Sequence, residues 1–74
     1  MDFSTLDCRG MVCPIPIVNL AQRMKEVDPG FEVEFFADDL SCVQDLPAWC
    51  GITGNVLVSL ETVDGIVHAF VRRT

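Results

Sequence analysis

The thiol of Cys13 is the side chain whose surroundings most clearly indicate chemistry. Pro14, Ile15 and Pro16 follow it, and an apolar helical repeat begins directly after them. Proline is tolerated in the first turn of an α-helix, where its missing N–H would be unpaired anyway. The spacing therefore predicts Pro14 as the first helical residue and Cys13 as its cap. The helix N-terminus would then lower the pKa of the thiol and populate the thiolate. The alternative is that Cys13 is a buried, inert core thiol.

The chain has four cysteines, at positions 8, 13, 42 and 50, and an even count in a short chain permits two disulfides. However, the first residues have no basic start and no apolar signal run, and no stretch approaches the length of a membrane span. We therefore expect a cytoplasmic protein with reduced thiols. There is no Cys-x-x-Cys pair, and the one histidine, His68, falls inside an apparent strand. We therefore expect no metal, no cofactor and no thioredoxin-type redox site.

Length and charge limit the possible functions further. The chain has 74 residues, of which 50% are hydrophobic, so it should form one small domain over residues 1–74. The formal net charge of −6 disfavours direct binding to nucleic acid, which requires positive potential against phosphates. The same charge favours docking on a basic surface of a partner protein.

The first half of the chain predicts two strands around one helix. Alternation over residues 4–8 indicates a first strand, and residues 9–12 form a connector in which Gly10 is free to take an unusual backbone angle. Apolar residues at three- and four-residue spacing predict a first helix over residues 14–27. Residues 31–37 alternate clearly and predict a second strand.

The second half predicts a helix followed by a hairpin. Ser41 with Gln44 matches a capping box, so a second helix should begin at Cys42. Pro47 should kink or shorten this helix, and residues 51–55 should form a turn-rich exit. Strands are predicted over residues 56–61 and 66–72, joined at Asp64-Gly65, which is a strong two-residue hairpin signal.

The predicted order is therefore β-α-β-α-β-β. Right-handed crossovers place both helices on one face of a four-stranded mixed sheet, which gives an α/β (α+β) two-layer sandwich with one open face. The carboxyl ends of the parallel strands should gather two thiols and several carboxylates on one rim. This rim should carry Cys13, Asp38, Asp39 and Cys42, together with the Asp64-Gly65 turn if the third strand is also parallel.

The open sheet face offers a second candidate surface. Phe36, Ile66 and Phe70 should lie there and could form an exposed apolar docking patch. Ordinary cross-strand packing with a Glu–Arg pair is the alternative. His68 should lie on the same face, and its position within a strand disfavours it as a catalytic base.

The chain resembles the TusA/SirA/YedF family of small sulfur-carrier proteins. The resemblance covers residues 6 to about 73, and it depends on motifs that occur in the family's order. They are Leu6-Asp7, Gly10, Cys13-Pro14-Ile15-Pro16, Pro29-Gly30, Ala37-Asp38-Asp39, Asp45-Leu46-Pro47 and Trp49-Cys50.

The resemblance implies a β-α-β-α-β-β sandwich whose last strand lies between the second and third. It implies that Cys13 carries sulfur as a persulfide, in a stoichiometric relay rather than by independent turnover. Family members take sulfur from a cysteine desulfurase or a rhodanese-like donor and pass it to an acceptor cysteine, often of the DsrE type. Destinations include tRNA thiolation and sulfur-compound metabolism. Cys50 matches a family position that is not the carrier, whereas Cys42 departs from better-known members, which have a hydroxyl-type residue there.

Several residues around Cys13 are supporting candidates. Pro14, Pro16 and Gly10 would shape the turn, and Arg9 could aid the thiolate or be a solvated loop charge. Asp38 and Asp39 would raise the thiol pKa if close; they could instead complement the N-terminus of the second helix or orient a basic partner.

Three functions remain open for the chain. The leading one is a sulfur carrier at Cys13, and the second is a thiol redox or sensor module that pairs Cys13 with Cys42 or Cys8. The third is a non-catalytic docking adaptor. Starts of adjacent helices commonly lie further apart than the roughly 7 Å between Cα atoms that a disulfide allows. We therefore expect Cys13 to act without Cys42.

Overall fold

The computed structural model describes residues 3–74, so residues 1 and 2 of the predicted domain lie outside the described part. The elements follow the predicted order. They are β1 (Phe3–Asp7), α1 (Ile15–Glu26), β2 (Glu32–Ala37), α2 (Cys42–Thr53), β3 (Val56–Val63) and β4 (Ile66–Arg72).

The four strands form one mixed sheet in the order β1-β2-β4-β3. β1 pairs parallel with β2, and β4 pairs antiparallel with both β2 and β3. β3 consequently runs parallel to β1 and β2, and the carboxyl ends of all three lie at one edge. This confirms the predicted fold class and the position of the last strand between the second and third.

One face of the sheet carries the core. Alternate residues of β2 and β4 are fully buried there, and both helices pack against them in a single hydrophobic cluster. The helices' contribution to this cluster comes from Leu20 and Met24 of α1 and from Cys42, Leu46 and Cys50 of α2. Both helices therefore cover the same face, as predicted.

The start of α1 differs from the prediction by one residue. The helix begins at Ile15, and Pro14 is its N-cap with φ −93° and ψ 9°. The Ile15 N–H donates to the Val12 carbonyl at 3.0 Å, so a tight turn precedes the helix. Cys13 therefore lies one residue before the cap, within that turn.

α2 begins at Cys42 as predicted, but not through a capping box. Ser41 has helical backbone angles and makes no side-chain capping bond. Instead, Asp39 Oδ1 accepts the Ser41 N–H at 2.9 Å. An acidic side chain from the preceding loop replaces the expected hydroxyl cap.

Pro47 lies inside α2 without shortening it. The helix continues to Thr53, so the predicted exit at residue 51 is wrong. Pro47 is exposed and so is Val43, whose carbonyl loses a helical partner and can bond to water instead. The helix ends at Gly54, which takes φ +80° and donates its N–H to the Cys50 carbonyl.

The hairpin between β3 and β4 turns at Asp64-Gly65 as predicted. Both residues have positive φ, 53° and 77°, which matches the twist of a two-residue hairpin. β3 continues to Val63, two residues beyond its predicted end at 61.

The open face of the sheet is covered by cross-strand pairs. Phe36 and Phe70 are half-buried, and His68 stacks on Phe36 with ring centroids 4.6 Å apart. His68 Nε2 lies 2.8 Å from Glu34 Oε2, and Arg72 pairs with Glu32 at 2.9 Å. Of the two alternatives for this face, the structure has ordinary cross-strand packing.

No helix within residues 3–74 is both long enough and apolar enough to cross a membrane.

Candidate functional site

The connector between β1 and α1 is fixed by a hydrogen bond to Asp38. The Met11 N–H donates to the Cys8 carbonyl, and Gly10 takes φ +86°, a conformation that residues with a side chain rarely adopt. The Gly10 N–H donates to Asp38 Oδ2 at 2.9 Å. The connector is thus attached to the loop that follows β2.

Asp39 holds the turn that contains Cys13. Its Oδ2 accepts the Cys13 N–H at 2.8 Å, while its Oδ1 accepts the N–H of Ser41. These backbone hydrogen bonds lower the pKa of Asp39. One carboxylate therefore joins the Cys13 turn to the start of α2, and both predicted interpretations of Asp39, near the thiol and at the helix start, apply.

The sulfur atoms of Cys13 and Cys42 are in contact. Their Sγ atoms lie 2.7 Å apart, and all four cysteines are free thiols. The expectation that the two helix starts would keep these thiols apart is therefore wrong. Asp39 explains the difference, because it draws the Cys13 turn toward α2.

The pKa of the Cys13 thiol is raised, contrary to the prediction. Burial is the main cause, and the negative charges of Asp39 and Asp45 add to it. The hydrogen bond from Cys42 acts in the opposite direction and lowers the pKa. At neutral pH the free protein consequently holds Cys13 mainly as a thiol.

The helix N-terminus fails to lower this pKa because it offers few donors to the sulfur. Pro14 and Pro16 have no N–H, and the N–H of Ile15 is bonded to Val12. Cys13 also lies before the cap rather than at it. The two prolines that suggested a helix start thus remove the groups that would have stabilised the thiolate.

Arg9 lies against Asp7 rather than supporting the thiol. Its guanidinium makes hydrogen bonds of 2.9 and 2.8 Å with both carboxylate oxygens of Asp7. This pairing lowers the pKa of Asp7 to about 2. Of the two alternatives for Arg9, the structure therefore favours an exposed loop charge, here paired with Asp7.

Cys8 and Cys50 are core residues. Cys8 is fully buried and Cys50 nearly so, and burial raises the pKa of both thiols. The Cys8 sulfur lies 4.0 Å from the carbonyl oxygen of Pro16, which is itself buried. Of the four cysteines, Cys13 alone is not buried.

Exposed apolar side chains accompany both thiols in the sequence. Val12 is 71% exposed, Ile15 50% and Leu40 56%. We call the following set the apolar collar: Val12, Ile15, Val18, Leu40 and Val43.

Neither the apolar collar nor a role of Asp45 at the thiol was predicted from the sequence. Ile15 and Val18 are apolar residues that fall outside the buried stripe of α1, which was a usable signal for the collar. Asp45 follows Cys42 by three residues, the spacing of neighbours on a helix face. Its position next to Cys13 nevertheless depends on how α2 packs.

The arrangement suits transfer chemistry at sulfur better than metal binding. Within residues 3–74, no three histidine, cysteine or acidic side chains come together as a metal site would require. What the site does offer is one partly exposed thiol, a second thiol beneath it and two carboxylates. Such a thiol can attack, or accept attack on, a sulfur–sulfur bond.

Comparison with known proteins gives consistent matches over nearly the whole chain. The family described as Sulfurtransferase TusA matches residues 4–73. "Sulfur carrier protein TusA" of Buchnera aphidicola subsp. Baizongia pistaciae is 28% identical over 74 residues, which cover 100% of this chain and 94% of that protein.

Two longer relatives match over most of this chain. "Putative sulfur carrier protein YrkF" of Bacillus subtilis is 37% identical over 68 residues, 92% of this chain. A "Putative sulfur carrier protein" of Aquifex aeolicus is 29% identical over 69 residues, 93% of this chain. The matched segment spans 37% and 35% of those two proteins, so this chain corresponds to about a third of each.

Proposed function

We propose, from the premise that this chain belongs to the Sulfurtransferase TusA family, that Cys13 accepts sulfane sulfur as a persulfide and relays it to a cysteine of a partner protein. Membership of the family supports a sulfur carrier role. The observation that carries the proposal is that Cys13 alone among the cysteines is both partly exposed and held on a fixed turn.

The proposed reaction is thiolate attack on a sulfane sulfur. The Cys13 thiolate attacks the terminal sulfur of a donor persulfide, the donor cysteine leaves as a thiolate, and Cys13 becomes the persulfide. Hand-over repeats the step with an acceptor thiolate as the nucleophile. The hydrogen bond with Cys42 favours the charged form of Cys13, while Asp39 and Asp45 oppose it. The chain acts as a stoichiometric relay.

The charges around Cys13 favour a partner that brings positive charge. A lysine or arginine near Asp39 and Asp45 would offset their effect and lower the pKa of the Cys13 thiol on docking. The Cys13 thiol would then be unreactive in the free chain and reactive in the complex with its partner. The chain's net charge of −6 would also attract such a surface.

The apolar collar supplies a surface for the same partners. Exposed apolar side chains next to a reactive group favour protein contact over solvent. Candidate partners are a cysteine desulfurase or rhodanese-like donor, and a DsrE-type or other cysteine-bearing acceptor. We place the relay in the cytoplasm, where thiols stay reduced, and route any role in tRNA thiolation or sulfur-compound metabolism through those proteins.

Loading by a cysteine desulfurase tests the proposal. The wild type, Cys13→Ser, Cys42→Ser and Cys50→Ser are incubated with the enzyme and cysteine, and the intact mass is measured. We expect one added sulfur on every chain except Cys13→Ser. Cys50→Ser is the matched control, because it also removes a buried thiol from α2.

Two results would contradict the carrier function. One is a Cys13→Ser chain that still gains one sulfur. The other is a Cys42→Ser chain as inactive as Cys13→Ser, which would favour the redox module that pairs the two thiols.

A further inference from the structure

We propose that Cys42 is a second reacting thiol, which attacks the persulfide on Cys13, releases sulfide and leaves a Cys13–Cys42 disulfide. This inference depends on the proposed function, because it requires a loaded Cys13. It describes what happens to the persulfide sulfur when no acceptor protein removes it.

The contact between the two sulfur atoms is the first support. The Sγ atoms are 2.7 Å apart, and a disulfide bond of about 2.05 Å requires a further approach of less than about 1 Å. The other two cysteines have different surroundings: the Cys8 sulfur faces the Pro16 carbonyl, and Cys50 belongs to the core cluster. Cys42 is therefore the thiol placed to react with Cys13.

The direction of approach is the second support. Cys42 is 0% exposed, whereas Cys13 keeps part of its surface open to solvent. The solvent-exposed side of Cys13 has room for an added sulfur, whereas the buried Cys42 is in contact with the Cys13 Sγ. The added sulfur and Cys42 then lie on opposite sides of the Cys13 Sγ, which is the arrangement for displacement at that atom.

The step balances without another reactant. The Cys42 sulfur forms a bond to the Cys13 Sγ, and the bond between that Sγ and the sulfane sulfur breaks. The sulfane sulfur leaves with the electron pair and takes up the Cys42 proton, so that hydrogen sulfide is released. If the sulfane sulfur is counted as zero-valent, the cysteine pair loses two electrons in forming the disulfide and the sulfane sulfur gains them as sulfide.

The surroundings of Cys42 make this release slow at neutral pH. Burial raises the pKa of the Cys42 thiol, and the neighbouring Cys13, Asp39 and Asp45 raise it further. Few chains therefore hold Cys42 as a thiolate, so hand-over to a docked acceptor is faster than release. Release should quicken as the pH rises.

The test follows a single loading of each chain. Wild type, Cys42→Ser, Cys42→Ala and Cys50→Ala are loaded anaerobically with sodium tetrasulfide, freed of excess reagent, and followed by intact mass and sulfide assay. We expect the wild type to release one sulfide per chain and end two hydrogens lighter than the reduced protein. The Cys42 variants should keep the added sulfur at least about tenfold longer, because they lack the attacking thiol.

Further readouts separate this step from general persulfide decay. Cys50→Ala should behave as the wild type, and wild-type release should be faster at about pH 8.5 than at neutral pH, as a thiolate attack requires. Digestion of the spent wild type should yield a peptide that links Cys13 to Cys42, a result that does not depend on how the variants fold.

The possible failures are distinguishable. Equal persulfide lifetimes in the wild type and both Cys42 variants would overturn this inference and leave the carrier function standing. A disulfide from Cys13 to Cys8 or Cys50 would overturn it as well. If neither the wild type nor any variant gains sulfur or releases sulfide, both the carrier function and this inference fail.

Discussion

Cys13 combines partial exposure with a raised pKa, so its reactivity depends on what lies beside it. Burial and two carboxylates favour the thiol form, and Cys42 favours the thiolate through a hydrogen bond. Accessibility therefore separates Cys13 from Cys8 and Cys50 more than acidity does. Chemistry at this sulfur should be sensitive to small changes of charge.

Removing the charge of Asp45 should make Cys13 more reactive. In Asp45→Asn the pKa of the Cys13 thiol should fall, because one of the negative charges that raise it is gone. We expect iodoacetamide to label Cys13 about two- to tenfold faster at neutral pH, where a tenfold change corresponds to one pKa unit. Residue-resolved mass spectrometry across a pH series measures the rate and the pKa together.

Two comparisons control this experiment. Asp28→Asn removes an exposed carboxylate beyond the other end of α1 and should leave the rate unchanged. In every chain Cys8 and Cys50 should label more slowly than Cys13, because both are buried. An unchanged Cys13 rate in Asp45→Asn would show that its carboxylate does not act on the thiol.

The chemistry of Cys13 could be anticipated from the residues that follow it, but its environment could not. A cysteine before two prolines suggests a helix start, and a helix start suggests a low pKa. The two prolines already show that two N–H donors are missing, but the approach of Asp45 and Cys42 could not be deduced from spacing, because it depends on how α2 packs against the Cys13 turn. The two alternatives for Arg9 likewise could not be distinguished from the sequence; in the structure Asp7 binds its guanidinium.

The loop between β2 and α2 organises the site. Asp38 holds Gly10 and Asp39 holds Cys13, so two consecutive carboxylates fix the connector before α1 through its backbone. Asp39 also bonds to the N–H of Ser41 at the start of α2. The position of the Cys13 sulfur thus depends on a carboxylate that binds the backbone of Cys13.

Asp39→Asn should loosen the site and lower stability in a pH-dependent way. The pKa of Asp39 is lower in the folded protein than its ordinary value of about 3.9. Its stabilising effect is therefore complete above that ordinary value and is lost as the pH falls through the folded pKa. We expect Asp39→Asn to melt at a lower temperature than the wild type at neutral pH, with the gap shrinking toward about pH 3.

Thermal unfolding followed by circular dichroism across this pH range measures the effect. Asp28→Asn again provides the control, and its melting temperature should equal that of the wild type at every pH. A gap between Asp39→Asn and the wild type that stays constant from neutral pH to about pH 3 would contradict the role given to the carboxylate.

The order and type of the elements could be predicted because their signals are local. The alternation in β2, the periodic stripe of α1 and the Asp64-Gly65 turn each depend on neighbouring residues, and all three are confirmed. The errors concern how α2 begins and where it ends. Asp39 takes the place of the Ser41 cap, and solvent access at Pro47 lets α2 continue to Thr53.

Exposed apolar residues occur on two surfaces of the molecule, the open sheet face and the apolar collar. The open sheet face is covered in part by its own aromatic and charged pairs, although Phe3 of β1 and Val63 of β3 are also exposed. The apolar collar differs in that its residues lie next to the two thiols in the sequence. We expect docking at the rim rather than on the sheet, because the collar adjoins the thiols at which transfer would take place. Of these two surfaces, only the sheet face was predicted from the sequence, because the exposure of the collar depends on side-chain packing.

Leu40→Ser should slow the loading of Cys13 by a protein donor and leave loading by a small-molecule donor unchanged. If the collar contacts the donor, removing one apolar side chain should lower kcat/KM for loading by a cysteine desulfurase roughly fivefold, the effect of about 1 kcal/mol. Loading by sodium tetrasulfide should not change. Val58→Ser removes an exposed valine of β3 outside the collar and serves as the matched control. Equal effects on both donors would contradict docking through the collar.

The isolated chain should not bind tRNA at physiological salt. Its net charge is −6, and nucleic-acid affinity depends on neutralising phosphates with basic side chains. A gel-shift assay with total tRNA should show no complex up to about 10 μM protein, above the range of specific binding. A complex at micromolar concentration or tighter would show that the chain itself recognises RNA.

The central claim, that Cys13 is the residue that carries sulfur, is tested most directly by locating the added sulfur atom. The wild-type chain is loaded with a cysteine desulfurase and cysteine, alkylated at once to trap persulfides, digested and mapped by mass spectrometry. We predict that one sulfur atom is added and that it lies on the peptide containing Cys13, with the peptides of Cys8 and Cys50 unmodified. An added sulfur found on another cysteine while Cys13 stays a plain thiol would contradict the assignment.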